Sequence, residues 1–227
     1  MTEELRVLPV EGLPEIGRGD DLARLVAALV ALEDEDIVVI TSKVVSKAAG
    51  LVRPGDRADA LAGETDRVVA TRGATTIVRT RQGLVLAAGG IDASNTDPGT
   101  LVLLPRAPDQ DARDLRTRLR DVTGRNVAVV ISDTAGRAWR MGQTDIAIGV
   151  AGLLPSDAYA GRLDPHGNSL VVTAPAIADE VAAAADLVKG KLRRRPVAVV
   201  RGLTQHVLPA DRHGPGAAAL VRPEAED

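Results

Sequence analysis

Ile37-Val38-Val39-Ile40 is a run of four β-branched residues that leads directly into Thr41-Ser42-Lys43. A short apolar run of this kind indicates a buried strand. A helix is predicted to begin over Val44 to Ala49, so Ser42 and Lys43 are expected where a strand turns into a helix. Two further apolar strands are predicted from Val127 to Ile131 and from Val197 to Val200.

The remaining pattern mixes strands and helices without a regular β-α-β rhythm. The other predicted helices run from Asp20 or Asp21 to about Leu32, from Asp109 to Thr123, with Ala112, Leu115, Leu119 and Val122 inward, and from Ile177 to Val188. A strand is predicted over Leu101 to Leu104, and a hairpin pairs Thr76–Arg81 with Leu84–Ala88. We therefore predict an α+β protein with mixed β-sheets and packed helices, and neither a Rossmann nor a P-loop fold.

The chain of 227 residues is read as one domain over 1–227, with two lobes as an alternative and Pro105 to Asp111 as the best linker. Hydrophobic residues make up 45%, but there is no Phe, one Trp and one Tyr, so aliphatic side chains must form the core. A dimer interface would help to bury them.

Charge and composition exclude several classes of protein. The net charge is −3 and no basic stripe interleaves with aromatics, so nucleic acid is not an expected partner. There is no Cys, no membrane-length apolar run and no signal peptide at the start, so a cytoplasmic location is expected.

Only four lysines occur among the 28 basic residues, and they form two close pairs: Lys43 with Lys47, and Lys189 with Lys191. A GC-rich genome, which favours Arg codons, explains the low ratio of Lys to Arg but not the pairing of the lysines. Lysine is a compact point charge that suits phosphate, so contact with phosphate by at least one pair and a purely incidental placement both stay open.

Two polar segments are candidates for chemistry. Gly90 to Asn95 places Asp92 near a hydroxyl and an amide, and either a ligand site or an ordinary Asx turn accounts for it. Ser132-Asp133-Thr134 follows a buried strand, where a carboxylate and a hydroxyl can hold Mg²⁺ or Mn²⁺ with phosphate, or can cap a helix. Arg137 and Arg140 lie just beyond and favour phosphate chemistry, because guanidinium groups bind anions.

Two other groups of polar residues carry less. Asp179 and Glu180 are adjacent on a predicted helix, so they diverge by about 100° and at most one can serve a site. The three histidines, His166, His206 and His213, are too widely spread to suggest a zinc site.

Six segments together resemble the coenzyme F420-0:L-glutamate ligases. They occur in the family's order and cover the chain from about Leu8 to Leu203. The segments are Leu8 to Pro14, Thr41 to Gly50, Gly90 to Asn95, Ser132 to Arg137, Ala147 to Gly152 and Val199 to Leu203.

The resemblance implies a GTP-dependent enzyme that uses Mg²⁺ or Mn²⁺, with two ions expected, supported by a monovalent cation such as K⁺, in an intertwined homodimer. It places metal ligands at Asp92, Asp133 and Thr134. It places GTP contacts at Leu13, Pro14, Glu15, Ile16, Ser42, Lys43, Lys47, Asn95, Lys189, Gly190 and Lys191. Lys191 departs from the pattern, because related enzymes can carry an acidic ligand there.

The activity that the resemblance implies is addition of L-glutamate to the coenzyme F420 precursor and γ-glutamyl extension of its tail through an acyl phosphate. Asp92, Asp133 and Arg137 are the expected catalytic residues, Arg137 and Arg140 would bind the precursor, and Asp179 or Glu180 is a candidate general base. In actinobacterial relatives a nitroreductase-like domain can follow the ligase region. Another nucleotide-dependent amide ligase and a non-catalytic binding module are the alternatives.

Overall fold

The computed structural model describes residues 4–73, 75–94 and 96–222. Its α-helices, in chain order, are α1 (Leu22–Leu29), α2 (Ser42–Ala48), α3 (Arg57–Glu64), α4 (Pro108–Thr123) and α5 (Ile177–Lys189). Its strands are β1 (Arg6–Val10), β2 (Ile37–Thr41), β3 (Val52–Pro54), β4 (Thr65–Arg72), β5 (Thr75–Thr80), β6 (Val85–Ala87), β7 (Thr100–Val102), β8 (Ala128–Gly136), β9 (Gln143–Ala151) and β10 (Val197–Arg201). Short 3-10 turns occupy Ala88–Gly90, Thr204–His206 and Ala217–Leu220.

A five-stranded sheet in the order β1-β10-β2-β8-β9 forms the centre of the fold. β2 and β8 are parallel, and the other neighbouring pairs are antiparallel. The sheet is therefore mixed, and the predicted α+β class is confirmed.

Both faces of this sheet are covered, which explains the continuous apolar run of β2. Val38 and Ile40 pack into a core with residues of α1 and α4, whereas Ile37 and Val39 pack on the other face with residues of α5. All four side chains are fully buried. Burying such a side chain stabilises the fold by roughly 1.5–3 kcal/mol, so the run fixes β2 at the centre.

Two smaller sheets lie outside the central one. β3 pairs with β7, and β4, β5 and β6 form an antiparallel sheet in that order. The predicted hairpin corresponds to β5 and β6, with Gly83 at a φ of 87° in the turn. After the turn Ala88–Gly90, Asp92 forms an isolated antiparallel bridge with Val102.

The two long helices end at the glycines that the sequence predicted as their ends. α4 ends at Gly124, whose left-handed φ of 72° favours a residue without a Cβ. α5 ends at Gly190, with a φ of 61°. Val122 was predicted to face inward but is 44% exposed, and α1 ends at Leu29 rather than at about Leu32.

The largest difference from the sequence prediction concerns Ser132 to Gly136. This segment was expected beyond the end of a strand, but β8 continues through it to Gly136, paired with β9. A register shift between Ile131 and Ser132 marks the point where the strand changes from buried apolar to polar residues. β4 also lacked a clear prediction, because only its pairing with β5 supports its exposed residues. Over the residues described, no helix is both long and apolar enough to cross a membrane.

Candidate functional site

The site is organised by the junction of β2 and α2, where Thr41 is extended and Ser42 begins the helix. Ser42 donates its hydroxyl hydrogen bond to Oδ1 of Asp133 at 2.7 Å. The next residue, Lys43, places its ammonium 2.5 Å from Oδ2 of Asp92. Two consecutive residues thus hold two carboxylates that are distant in the sequence.

Asp92 is locked by a local turn as well as by Lys43. Its Oδ1 accepts the backbone N–H of Ser94 at 2.6 Å, so the Asx turn predicted as an alternative is present. Lys43 also donates to the carbonyl oxygen of Ser94 at 2.6 Å. Burial acts to raise the pKa of Asp92, but the bonds from Lys43 and Ser94 outweigh it and lower that pKa. Asn95, a predicted GTP contact, lies outside the described residues.

Asp133 has a different environment. Burial, with smaller contributions from Asp145 and Asp92, raises its pKa from 3.8 to about 6, and the hydrogen bond from Ser42 only partly opposes this. Ser42 supplies a hydroxyl but no charge, so Asp133 carries less compensation than Asp92. Because Asp133 lies within β8, the alternative that it caps a helix is wrong.

Thr134 points away from Asp133, since successive side chains of a strand face opposite sides of the sheet. Asp133 bonds Ser42 on the α2 side, whereas Thr134 donates to Oδ1 of Asp145 at 2.9 Å. Asp145 lies directly across from Thr134 in the β8–β9 register. The predicted metal ligands Asp133 and Thr134 therefore lie on opposite faces of the β8–β9 ribbon.

Lys189 and Asp145 form a buried ion pair on that second face. Their charged atoms are 2.7 Å apart, and each side chain is 5% exposed. Lys189 was a predicted GTP contact, but the structure places its ammonium in the interior, against Asp145 and the hydroxyl of Ser132. Lys191 is exposed just after Gly190. Asp145 was not predicted from the sequence, although a carboxylate directly before the apolar residues 146–151 needs a partner when it is buried and could have been noticed.

The first predicted GTP segment, Leu13 to Ile16, lies beside α2. Glu15 pairs with the ammonium of Lys47, and Ile16 is buried in the core. The backbone N–H of Gly19 bonds the carbonyl oxygen of Ala48 at 2.8 Å, which ties the segment to the end of α2. The loop after α5 reaches the same junction, because the backbone N–H of Thr41 donates to the carbonyl oxygen of Pro196 at 2.9 Å.

Arg137 and Arg140 lie in the turn between β8 and β9, beyond the acidic residues. The guanidinium of Arg137 donates to the carbonyl oxygen of Met141 at 2.6 Å. Trp139 between them is fully exposed and has a left-handed φ of 55°. The structure thus places both arginines at the tip of the ribbon whose base carries Asp133 and Thr134.

Asp179 and Glu180 diverge as the helical geometry predicted. Asp179 faces the sheet, where it accepts the N–H of Ala147 at 2.9 Å, and burial raises its pKa. Glu180 is exposed. A carboxylate that already bonds the strand backbone is a weak candidate for a general base.

The oxygen donors at the site fit a hard divalent cation. Asp92 and Asp133 offer carboxylate oxygens on the α2 side of the β8–β9 ribbon, and Thr134 offers a hydroxyl oxygen on the other face. These are the oxygen ligands that Mg²⁺ and Mn²⁺ prefer. Within the described part of the chain no cationic side chain forms an ion pair with Asp133, and burial raises the pKa of Asp133 to about 6. A metal ion would supply the missing positive charge. Within residues 4–73, 75–94 and 96–222, no group of three or more His, Cys, Asp or Glu side chains could hold an ion by itself, so ligands from substrate or water would be needed.

Comparison with known proteins identifies the family of the chain. The family model described as F420-0:Gamma-glutamyl ligase matches residues 12–60 and 52–202. Proteins named coenzyme F420:L-glutamate ligase are similar along most of the chain. The one from Archaeoglobus fulgidus is 40% identical over 219 residues, covering 88% of each chain. The one from Methanothermobacter thermautotrophicus is 37% identical over 249 residues, covering 98% of each chain, and the one from Methanopyrus kandleri is 39% identical over 220 residues, covering 88% of this chain and 87% of its own.

These matches define the class first: the chain is an enzyme of the ligases that form amide bonds, as the sequence predicted. More narrowly, it belongs to the F420-0:Gamma-glutamyl ligase family. The predicted resemblance is thereby confirmed.

Proposed function

We propose that this enzyme uses GTP to join L-glutamate to the coenzyme F420 precursor and then extends the tail by γ-glutamyl units. The observation that carries the proposal is the convergence of Asp92 and Asp133 on the consecutive residues Ser42 and Lys43. Lys47 lies one helical turn further along α2, on the same side of the helix as Lys43. Carboxylates and lysines in this arrangement suit a metal-bound triphosphate.

The chemistry requires activation, because a carboxylate does not react with an amine at neutral pH. In the proposed reaction, a carboxylate oxygen of the acceptor attacks the γ-phosphorus of GTP and GDP leaves, which gives an acyl phosphate. The amine nitrogen of glutamate then attacks the acyl carbon and loses a proton, and the carbon–oxygen bond to phosphate breaks. Lys43 and Lys47 would position the triphosphate, and Arg137 or Arg140 the phosphodiester of the precursor.

Two divalent ions belong to the proposal. Asp92 and Asp133 would hold one ion on the α2 side of the β8–β9 ribbon, and Thr134 would contribute a hydroxyl oxygen to a second. Such ions neutralise charge on the transferring phosphoryl group when they are bound. A monovalent cation such as K⁺ is proposed on the resemblance alone, and Lys191 is proposed to replace part of the charge of the acidic ligand found in relatives.

Turnover with mass detection of the added glutamates tests the function. Purified protein is incubated with precursor, L-glutamate, GTP and Mn²⁺, and each component is then replaced in turn by ATP, another amino acid or another acceptor. Products heavier by whole glutamate residues, formed only with GTP, are expected. Product formation with ATP and a different amino acid would instead indicate another acyl-activating ligase, and no product with any combination would indicate a binding module.

A homodimer is also proposed. Large apolar side chains are strongly exposed in the monomer, among them Trp139, Met141, Val172, Leu187 and Leu192. Burial of such surface between two chains is favourable. Light scattering should therefore give about twice the chain mass of 23.6 kDa, and an active protein of single-chain mass would exclude the dimer.

A further inference from the structure

The buried network around Asp145 has a defined direction of hydrogen bonding. Lys189 carries only donors, and it donates to Oδ2 of Asp145 and to Oγ of Ser132, both at 2.7 Å. Ser132 donates its own proton to Oδ2 of Asp145 at 2.9 Å. The other carboxylate oxygen, Oδ1, accepts a hydrogen bond from the hydroxyl of Thr134 at 2.9 Å.

This direction determines what Thr134 can offer to a ligand. A threonine hydroxyl has one proton and two acceptor lone pairs. Because its proton is directed to Asp145, only lone pairs remain for the exposed side of Thr134. A hydroxyl fixed in this way suits a cation and is unsuited to a hydrogen-bond acceptor.

We propose that Asp145 is a positioning residue: it accepts the hydrogen bond of the Thr134 hydroxyl, so that Thr134 presents its lone pairs to a divalent cation, while Lys189 compensates the charge of Asp145. The inference rests on the proposed function, since it concerns the ion assigned to Thr134. It adds to that function a residue that does not itself touch the cation. Burial supports the role, since Asp145 and Lys189 are each only 4% exposed and solvent cannot substitute for either.

Replacing the Asp145 carboxylate by an amide tests whether its charge or the direction of its hydrogen bond with Thr134 matters. In Asp145→Asn the amide oxygen must face Lys189, which has no acceptor, so the amide NH₂ faces Thr134. Thr134 must then accept, and its proton turns to the exposed side, where it opposes a cation. Asp145→Asn/Lys189→Met removes this constraint and lets the amide oxygen face Thr134 again.

The test measures Mn²⁺ affinity by calorimetry on the full chain, in a cycle with the isosteric Thr134→Val. In the parent, Thr134→Val should weaken Mn²⁺ binding about tenfold or more, as expected for loss of a ligand. In Asp145→Asn, which should itself bind more weakly, Thr134→Val should cost less than about twofold. In Asp145→Asn/Lys189→Met, Thr134→Val should again cost several-fold, which also keeps the test valid if the single variant folds poorly.

A matched control excludes general destabilisation. Asp36 is equally buried and pairs with Arg201 at 2.7 Å at the opposite end of the same sheet. Asp36→Asn should lower the melting temperature but leave Mn²⁺ affinity unchanged.

The possible results separate the two proposals. Parent protein that binds no Mn²⁺, with or without GTP, overturns both this inference and the metal part of the proposed function. Parent protein that binds Mn²⁺, together with an equal cost of Thr134→Val in all backgrounds, overturns the positioning role alone. It would mean that Asp145 acts only through its charge.

Discussion

The two ends of the central sheet use different cations for different purposes. Where β2 ends, Lys43 pairs with Asp92 and Lys189 with Asp145, whereas Asp133 forms no ion pair with any residue that the structure describes. Where β2 and β8 begin, Arg201 forks onto both oxygens of the buried Asp36 at 2.7 and 2.9 Å. At the arginine end both oxygens of Asp36 are paired with a cation, whereas at the lysine end the Asp133 carboxylate has no cationic partner among the described residues.

Arg116, a second buried arginine at this end, also has acceptors for its guanidinium nitrogens. It is 3% exposed and hydrogen-bonds no carboxylate among the residues that the structure describes. Instead it donates to Asn126 and to the backbone carbonyl oxygens of Val127, Leu208, Pro209 and Arg212. The fork of five donors suits such a set of acceptors, and it ties the segment after β10 to α4. These contacts stabilise the fold at the arginine end, and Asp133, unpaired within the described part of the chain, is the reason for proposing the ligand site at the other end.

The largest expected effect concerns Asp133→Asn, which keeps the size of the side chain and removes its charge. Turnover should fall by about 10³-fold or more, because the charge that holds a cation beside the phosphoryl group is lost. The folded state should be retained, and the increase of melting temperature by Mn²⁺ should diminish. An active variant that Mn²⁺ stabilises like the parent would exclude the metal role of Asp133.

At the arginine end, Arg201→Met should have the opposite profile. It leaves Asp36 buried without its cation, which costs roughly 3–5 kcal/mol of the free energy of unfolding. Turnover per folded molecule and Mn²⁺ affinity should not change. Urea denaturation beside the turnover assay checks this, and a loss of metal affinity in this variant would mean that the two ends are coupled.

The two ends should also respond to pH with opposite signs. The pKa of Asp133 is raised from 3.8 to about 6 in the folded protein, so its ionisation destabilises the metal-free fold as pH rises through that interval. The cost is at most about 3 kcal/mol, and Asp133→Asn should abolish it. Burial, then Arg116 and two other arginines, lowers the pKa of His213 from 6.5, so stability from neutral His213 is present above 6.5 and decreases as pH falls below it.

Denaturation of the metal-free protein at several pH values separates the two contributions. His213→Gln should remove the decrease in stability that occurs as pH falls below 6.5, and Asp133→Asn should remove the decrease that occurs as pH rises from 3.8 to about 6. Identical pH profiles for the parent and both variants would contradict these assignments.

The sequence predicted the parts of this comparison that depend on local pattern. The apolar run of β2, the glycine ends of α4 and α5, and the polar segments containing Asp92 and Asp133 could be read directly, because burial and helix termination leave periodic or single-residue signals. The pairing of Lys43 with Asp92 and of Lys189 with Asp145 could not be read. The first contact depends on how α2 packs beside the segment that bridges Asp92 to Val102, and the second on how α5 packs against β9. A polar residue gives no local sign of such a partner.

The two lysine pairs illustrate the limit. The resemblance implied the same role, contact with GTP, for Lys189 and Lys43, and the pairing of the four lysines left open which pair meets phosphate. The structure separates them by burial: Lys189 is enclosed with Asp145, and Lys43 is at the junction with α2. Exposure to a ligand is a property of packing and has no signature in the spacing of residues.

The smallest expected effect sharpens the comparison at the lysine end itself. Lys43→Ala and Lys47→Ala should each weaken GTP binding in the presence of Mn²⁺, by about tenfold, or about 1.4 kcal/mol. Lys43→Ala should have the larger effect, because it also leaves the half-buried carboxylate of Asp92 beside the triphosphate, whereas Glu15, the partner of Lys47, is 81% exposed and screened by solvent.

Arg125→Ala is the matched control for this prediction, since Arg125 pairs with Asp34 at 3.1 Å at the opposite end of the sheet and its side chain is half-exposed. It should leave GTP affinity unchanged when measured by calorimetry under the same conditions. Equal affinity in the parent and in both lysine variants would place the phosphates elsewhere. Weaker binding in Lys47→Ala alone would mean that Lys43 serves only to compensate Asp92, so that the cation and not the lysine meets the triphosphate at the β2–α2 junction.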